Sequence, residues 1–445
     1  CSSDLPLGCR RSGHRAVIRR LLGWLPGTAL LAATAGGQGV AQVVDTAPGA
    51  ELTVTLLTFD PGDLVWERFG HNALWIHDAR RGTDWGYDYG RFSFGRTTAD
   101  KLRFFGRFAK GDLAYSMGDD SADRYLEGYR RAGRSIWAQE LDLPGPAKVA
   151  LRDYLDWNRR PENREYQYHY YLDNCSTRIR DALDRVVGGQ IKSWADTVRT
   201  PWTYRDHTRR TTENDLVTYT LLNIGLGHPA DHRLSAWEEM FLPISLRPYL
   251  SAVVIRDADG RARPLVKATR HLVENDQFGV EERPSNWLPQ YGLVGLAGGL
   301  TLLGLGWLGG SGRPRWRFSF VLVGGLWAVV AGVAGLVLAA LWLFSEHRFA
   351  AWNENVLQLN VASLLVAWAL PKGVLGGDPA RRGLAMFGAG LAAAISVAGL
   401  GLKVVPGFDQ SNLELVALFL PLHLGLFGGL KGLRGDFSRS PFSVR

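Results

Sequence analysis

Between residues 287 and 430 the chain changes character. Leu, Gly, Ala and Val dominate there and charges retreat into short breaks, whereas residues 51 to 286 are rich in charged and aromatic side chains. A repeated apolar pattern of this kind satisfies its backbone out of water as a bundle of membrane-spanning helices. Five spans are expected, at about 288–310, 318–344, 355–371, 383–404 and 413–430, lengths suited to a hydrocarbon core about 30 Å thick. Arg313, Arg315 and Arg317 lie between the first two spans, Lys372, Arg381 and Arg382 between the third and fourth, and Lys431, Arg434, Arg439 and Arg445 after the fifth. These positive breaks fall on one side of the bundle, which puts the tail in the cytoplasm and the long head outside. The formal net charge of +8 therefore reads as topology, and no nucleic-acid partner is expected. The glycines of spans such as 383–401 read as close helix packing, and no phosphate-cradling fingerprint stands between a strand and a helix.

Upstream, Arg10, Arg11, Arg15, Arg19 and Arg20 precede the apolar stretch Leu21 to Ala33 and then small residues. That is the order of a secretory signal, with an uncleaved anchor as the alternative. The expected organisation is a signal or anchor over 1–42, an extracytoplasmic domain over 43–286, a helical membrane domain over 287–432 and a cytoplasmic tail over 433–445. The corresponding location is a multi-pass protein of the inner (cytoplasmic) membrane whose head lies in the periplasm.

In the head, alternating apolar residues predict strands over Leu52–Phe59, Asn72–His77, Thr83–Tyr89 and Ser135–Leu143. Helical spacing predicts helices over Ser121–Arg131, Pro144–Arg160, Glu213–Leu226 and Ser235–Phe241, and Arg164–Tyr171 is expected to be a strand. Strands cluster first and helices interleave later, the pattern of an α+β domain.

Cys175 is the one cysteine of the chain that lies beyond the N-terminal segment, where Cys1 and Cys9 sit. Asp173 and Asn174 supply cap chemistry, and Ile179, Leu183, Val186 and Val187 follow at helical spacing, so the thiol falls in the first turn of a helix. The partial positive charge of a helix N-terminus favours the thiolate. Against this stands the ordinary behaviour of a lone cysteine, which packs as a small hydrophobe.

A thiol nucleophile needs a base and a group to orient that base. His71 follows Gly70, which permits a tight turn, and opens the strand Asn72–Ile76, a rigid place from which to present an imidazole. His77 shares its parity but sits beside Asp78 and Arg80 at a turn. Asp84 and Asp88 on the next strand are the candidate orienting carboxylates, with Asp88 the choice and a solvated turn carboxylate before Gly90 its plain alternative. Tyr168, Tyr170, Asn174 and the Cys175 amide are candidate donors to an oxyanion or substrate, and packing is the plain alternative for the tyrosines. Asn353 and Asn355, with Asn360, stand near the entrance of a span, where amides must be paired; they meet the head, the substrate or a neighbouring helix. His228, Asp231 and His232 lack further well-spaced ligands for zinc, and Pro229 opposes a helix that would align the two imidazoles. No cofactor is expected.

The motifs Phe69-Gly70-His71-Asn72-Ala73 and Asp173-Asn174-Cys175-Ser176-Thr177-Arg178, in that order and ahead of a multi-span tail, resemble the Lnb N-terminal periplasmic domain family over about residues 50–260. The resemblance implies a permuted papain-like fold, related to NlpC and lecithin:retinol acyltransferase proteins, in which the histidine strand precedes the cysteine helix. The segment Trp352–Asn360 is similar to an Asn-rich stretch that such proteins carry between spans. His71 and Cys175 match, while the third residue of the triad stays open. The expected activity is a cell-envelope cysteine hydrolase or acyltransferase acting on an amide or ester of a lipid, a lipoprotein or a peptidoglycan-linked substrate at the bilayer. The alternative is a non-catalytic envelope binding or assembly module on the same fold.

Overall fold

The computed structural model describes residues 47–433; the expected signal segment with Cys1 and Cys9, and the tail after Leu433, lie outside the described residues. The chain forms an N-terminal α+β domain built on one antiparallel sheet, followed by apolar helices. Six strands, β1 (Leu52–Phe59), β2 (His71–Asp78), β3 (Thr83–Arg91), β4 (Ala114–Ser121), β5 (Ile136–Leu141) and β6 (Glu165–Gln167), are joined by a late strand, Val266–Val273. Their order is Val266–Val273, β5, β1, β2, β3, β4, β6, and every neighbouring pair is antiparallel.

Alternation in β1 explains how both faces are covered. Leu52, Val54 and Leu56 point into the main core with Leu74 and Ile76 of β2, against helices α3 (Gly145–Asn158) and α4 (Cys175–Val186). Leu57 and Phe59 point the other way, onto Tyr125 and Tyr129 of α2 (Ala122–Arg131), so the sheet is a buried central layer. Ile179 and Leu183 of α4 are fully buried in the main core, and burial of such side chains stabilises by about 1.5–3 kcal/mol each. That packing lays α4 across the sheet and carries its first residue to the end where β2 begins.

The segment expected as a strand over Arg164–Tyr171 pairs only at Glu165–Gln167. It then turns, with His169 bridged to Asp173, so Tyr168 and Tyr170 do not share a strand face. The sequence reading did not anticipate the helix Thr98–Lys110 (α1), β4 or the Val266–Val273 strand. Glycine and aspartates dilute β4, and Val266–Val273 returns to β5 across more than a hundred residues, beyond the reach of local pattern.

Among the described residues four helices are long and apolar enough to cross a membrane: Leu288–Gly310, Pro314–Phe344, Pro379–Val404 and Leu413–Gly432. The expected third span differs. It comprises a stretch with two short 3-10 turns, Arg348–Leu357, and a helix, Ala362–Val374, bent by 46°, so the described residues hold four such helices, or five if that bent pair is one span. Polar Asn353, Asn355, Gln358 and Asn360, all buried, interrupt the apolar run there. Close glycine packing joins the first and last of these helices: a Cβ on Gly299 would meet the Pro421 carbonyl oxygen at 2.4 Å, and one on Gly425 would meet that of Gly299 at 2.1 Å.

The head is welded to the bundle through buried polar groups. Asn353 Nδ2 donates to the carbonyls of Ile224 (2.9 Å) and Gly225 (3.1 Å), and Asn355 Nδ2 to those of Asn223 (3.3 Å) and Ile224 (3.0 Å). These are the free carbonyls at the end of the helix Leu216–Gly225, which water cannot reach. The structure thus pairs Asn353 and Asn355 with the head at the junction. Beside them Arg205, fully buried, donates to Asp231 (2.7 and 2.9 Å), to Asn223 and to the carbonyls of Leu226 and Gly227.

Removing the Arg205 guanidinium strands Asp231 and those carbonyls. Arg205→Met should cost about 3–5 kcal/mol, as for other broken buried ion pairs, and appear as a lower thermal midpoint in detergent. Adding Asp231→Leu should restore part of the loss, and an unchanged midpoint for the single variant would show that this buried ion pair does not hold the head together beside the junction.

Candidate active site

Three elements converge where β2 starts. Gly70, at φ 80°, turns the chain in a conformation that favours glycine, and His71 follows as the first residue of β2. Gly90, at φ 93°, sits near the end of β3, at a register shift against β4. Its missing side chain leaves room for Cys175: a Cβ at Gly90 would lie 3.7 Å from that of Cys175 and 4.0 Å from the Tyr166 hydroxyl. Cys175 itself is the first residue of α4 and is half-buried.

Asn174 caps that helix. Its Oδ1 accepts from the amides of Ser176 (2.9 Å) and Thr177 (3.0 Å), and its own N–H donates to Thr177 Oγ1 (2.7 Å), a reciprocal cap. Its Nδ2 donates to the carbonyls of Tyr170 (2.9 Å) and Phe241 (3.0 Å). Every polar atom of this side chain is engaged, so Asn174 positions the thiol and is not free to serve as an oxyanion donor.

The imidazole of His71 stands close enough to the Cys175 sulfur for the two to act on each other's charge. Its Nε2 lies 3.0 Å from Asp88 Oδ2, which leaves Nδ1 to face the thiol. Asp88 is buried and its other oxygen accepts from Arg91 Nε (2.8 Å) and the Tyr125 hydroxyl (2.8 Å). Arg91 also reaches the Tyr125 hydroxyl, and it lies across β4 where Gly118 has no side chain; a Cβ there would overlap the guanidinium, 1.7 Å from Nε. A carboxylate so supplied with donors stays ionised. Although burial pushes the Asp88 carboxyl up, its bonds to His71 and Arg91 hold it below the usual carboxylate range.

The same balance governs the pair. Burial opposes charge on both, yet the His71 imidazolium and the Asn72 amide draw the Cys175 thiol below its ordinary value. Burial lowers the His71 imidazole, but Cys175 and Asp88 together lift it above its ordinary value. A lowered acid beside a raised base shifts the balance toward a thiolate–imidazolium pair.

Tyr166, which the sequence reading passed over, stands closer to this chemistry than Tyr170. Its hydroxyl is buried with no hydrogen-bond partner and faces the space beside Gly90 and Cys175. Tyr168 flanks the same space and stacks on Tyr115 at 4.1 Å. Tyr170 packs with His169, Tyr171, His347 and Phe349. An unpaired buried hydroxyl two residues before Tyr168 carries no distinguishing sequence signal, because the three tyrosines at 166, 168 and 170 look alike until the turn at His169 separates them. The Cys175 amide, at the helix N-terminus, has no protein acceptor among the described residues and adds a second donor toward the sulfur's neighbourhood.

His77, the rival base, bonds Asp84 at 3.0 Å on an exposed part of β2. His228 pairs with Asp409 (2.7 Å) and His232 with Glu238 (3.2 Å), so the two take different partners. Among the described residues no cluster of three metal-ligating side chains occurs.

Two variants separate the contributions. Asp88→Asn removes the charge that favours the imidazolium, so the His71 titration followed by histidine-selective NMR should move to lower pH. His71→Ala removes the imidazolium, so the midpoint of iodoacetamide alkylation of Cys175 should rise. Unmoved titrations in both variants would show that the three groups are not coupled.

With this geometry in place, comparison with known proteins gives two matches. Residues 41–210, which contain His71, Asp88 and Cys175, match the family described as the Lnb N-terminal periplasmic domain. The chain is also similar to the anti-sigma-F factor NrsF of Caulobacter vibrioides (strain NA1000 / CB15N), 35% identical over 147 residues. That alignment covers 32% of this chain and 66% of the relative, so the chain spans just under two thirds of the relative's length. No solved structure matches. The family match and the apolar helices together make this a multi-pass membrane protein with a periplasmic domain.

Proposed function

We propose that this protein is a thiol enzyme of the cell envelope, held in the inner membrane, that forms an acyl-enzyme on Cys175. The observation that carries the reading is the buried chain of contacts from Asp88 through His71 to the sulfur of Cys175, joined to a helix N-terminus. It accords with the permuted papain-like order in which the histidine strand precedes the cysteine helix.

In this reading the thiolate sulfur attacks the carbonyl carbon of an amide or ester. The carbonyl oxygen takes up negative charge, toward which the Cys175 amide and the Tyr166 hydroxyl can donate. The His71 imidazolium then gives its proton to the departing amine or alcohol and is left neutral, with Asp88 keeping the ring in place. Water, or an amine or alcohol acceptor, loses a proton to His71 as it attacks the thioester, and the thiolate leaves. Water makes the enzyme a hydrolase, and an amine or alcohol makes it an acyltransferase. The junction with the bundle favours substrates that reside at the membrane: a lipid, a lipoprotein or a lipid-linked cell-wall precursor.

The likeness to an anti-sigma-F factor favours a second reading, a non-catalytic envelope module that binds a partner. Intact-mass measurement on protein purified from membranes separates the two. The enzyme reading predicts an acyl mass on the wild-type chain that is absent from Cys175→Ala and scarce in His71→Ala. Tyr166→Phe should slow acylation by about 10²-fold, the usual cost of losing one oxyanion donor. Absence of any adduct, with Cys175 alkylated only after denaturation, would leave the binding module.

A further inference from the structure

Helix α1 (Thr98–Lys110) has no buried residue. It is nevertheless well finished, with a capping box between Thr97 and Asp100 and a left-handed Gly111 at its end. A thirteen-residue helix without a packed face is marginal in water, and this one carries a strong apolar stripe. At 100° per residue Leu102, Phe105 and Ala109 fall on one side with Phe108 and Lys101 on its flank, and Arg103, Arg107 and Lys110 fall on the other. Leu102 and Phe105 are 68% and 58% exposed.

The position of α1 identifies what covers that stripe. Its last turn meets the outer end of the span Pro314–Phe344: the Glu346 amide donates to the Lys110 carbonyl (2.8 Å), and His347 Nε2 lies 2.7 Å from the Phe108 carbonyl oxygen. Leu343 and Phe344 in the final turn of that span are 67% and 81% exposed, so the apolar surface of the span continues toward the helix. A flank of α1 between the two faces is fixed to the head, where Phe104 packs on Phe92 and Phe94, Phe105 also meets Phe94, and Phe92 and Phe94 meet Trp66. A second element repeats the arrangement. Helix Leu216–Gly225 bonds through Thr220 to Tyr291 near the outer end of the first span and leaves Leu216, Val217 and Leu221 exposed.

We infer that α1 and the helix Leu216–Gly225 are interfacial membrane helices that bed their apolar stripes into the leaflet on the head's side. Basic residues on the far face of α1 suit the headgroup layer. The partner of this surface is the lipid bilayer itself. A consequence is that the aromatic rim formed by Trp66, Phe92 and Phe94, at the edge of a cleft of about 940 Å³ that reaches Asp88, opens at the membrane surface. The inference does not depend on Cys175 being a nucleophile.

Power-saturation EPR on the full chain in phospholipid nanodiscs tests it, in a Cys1→Ser, Cys9→Ser, Cys175→Ala background with one nitroxide at Leu102→Cys, Phe105→Cys, Val217→Cys or Arg107→Cys. The ratio of oxygen to aqueous nickel-chelate accessibility should be several-fold higher at 102, 105 and 217 than at 107. Equal ratios at all four positions would overturn the inference by placing the helices in water. Shielding from both reagents at 102, 105 and 217 would also overturn it, by showing that protein covers the stripes.

Discussion

The carboxamide of Asn174 makes four hydrogen bonds, two accepted from the first turn of α4 and two donated to the carbonyls of Tyr170 and Phe241. The first pair sets where α4 begins and so makes Cys175 its first residue. The second pair ties that helix end to an aromatic cluster of Tyr171, Tyr204, Phe241 and Phe349. Phe349 belongs to the segment after the second apolar helix, so the thiol is fixed relative to both the sheet and the bundle. An alanine in place of Asn174 would leave two helix amides and two carbonyls short of partners in a buried place, a cost of about 1–3 kcal/mol for each unsatisfied group.

Given that anchor, the electrostatics follow from Asp88. Burial alone would neutralise the thiol, the imidazole and the carboxyl alike. Asp88 remains an anion because His71, Arg91 and Tyr125 all donate to it, and its charge supports the imidazolium that in turn supports the thiolate. Tyr125 and Arg91 are thus part of the device although they stand a layer behind the sulfur. Glycines at 86 and 118 clear the space that their side chains occupy.

Much of this was legible in the chain. Strict alternation predicted β1, and β2 and β3 fell within a residue or two of their expected ends, because buried faces demand a two-residue period. Cap chemistry before an apolar helical stripe placed Cys175 correctly in the first turn. Asp88 is a candidate in the sequence because adjacent strands can place it beside His71. What escaped depends on long-range geometry: Tyr166 differs from Tyr168 and Tyr170 only through the turn at His169, and Arg205 reads as a surface charge until Asp231 and three carbonyls of the 223–227 stretch close around it. The bent third apolar segment escaped for a different reason. Its asparagines were noticed, but composition alone cannot tell amides that face a substrate from amides that pair with the end of the helix Leu216–Gly225.

His71, supported by Asp88, draws Cys175 toward the thiolate, and ultraviolet thiolate absorbance reports that directly. The difference in absorbance at 240 nm between wild-type protein and Cys175→Ser, followed against pH in detergent, should rise with a midpoint below the ordinary thiol value of 9.0. A midpoint at or above that value would contradict the account, for it would mean that burial outweighs the His71–Asp88 pair and that the sulfur rests as a packed thiol.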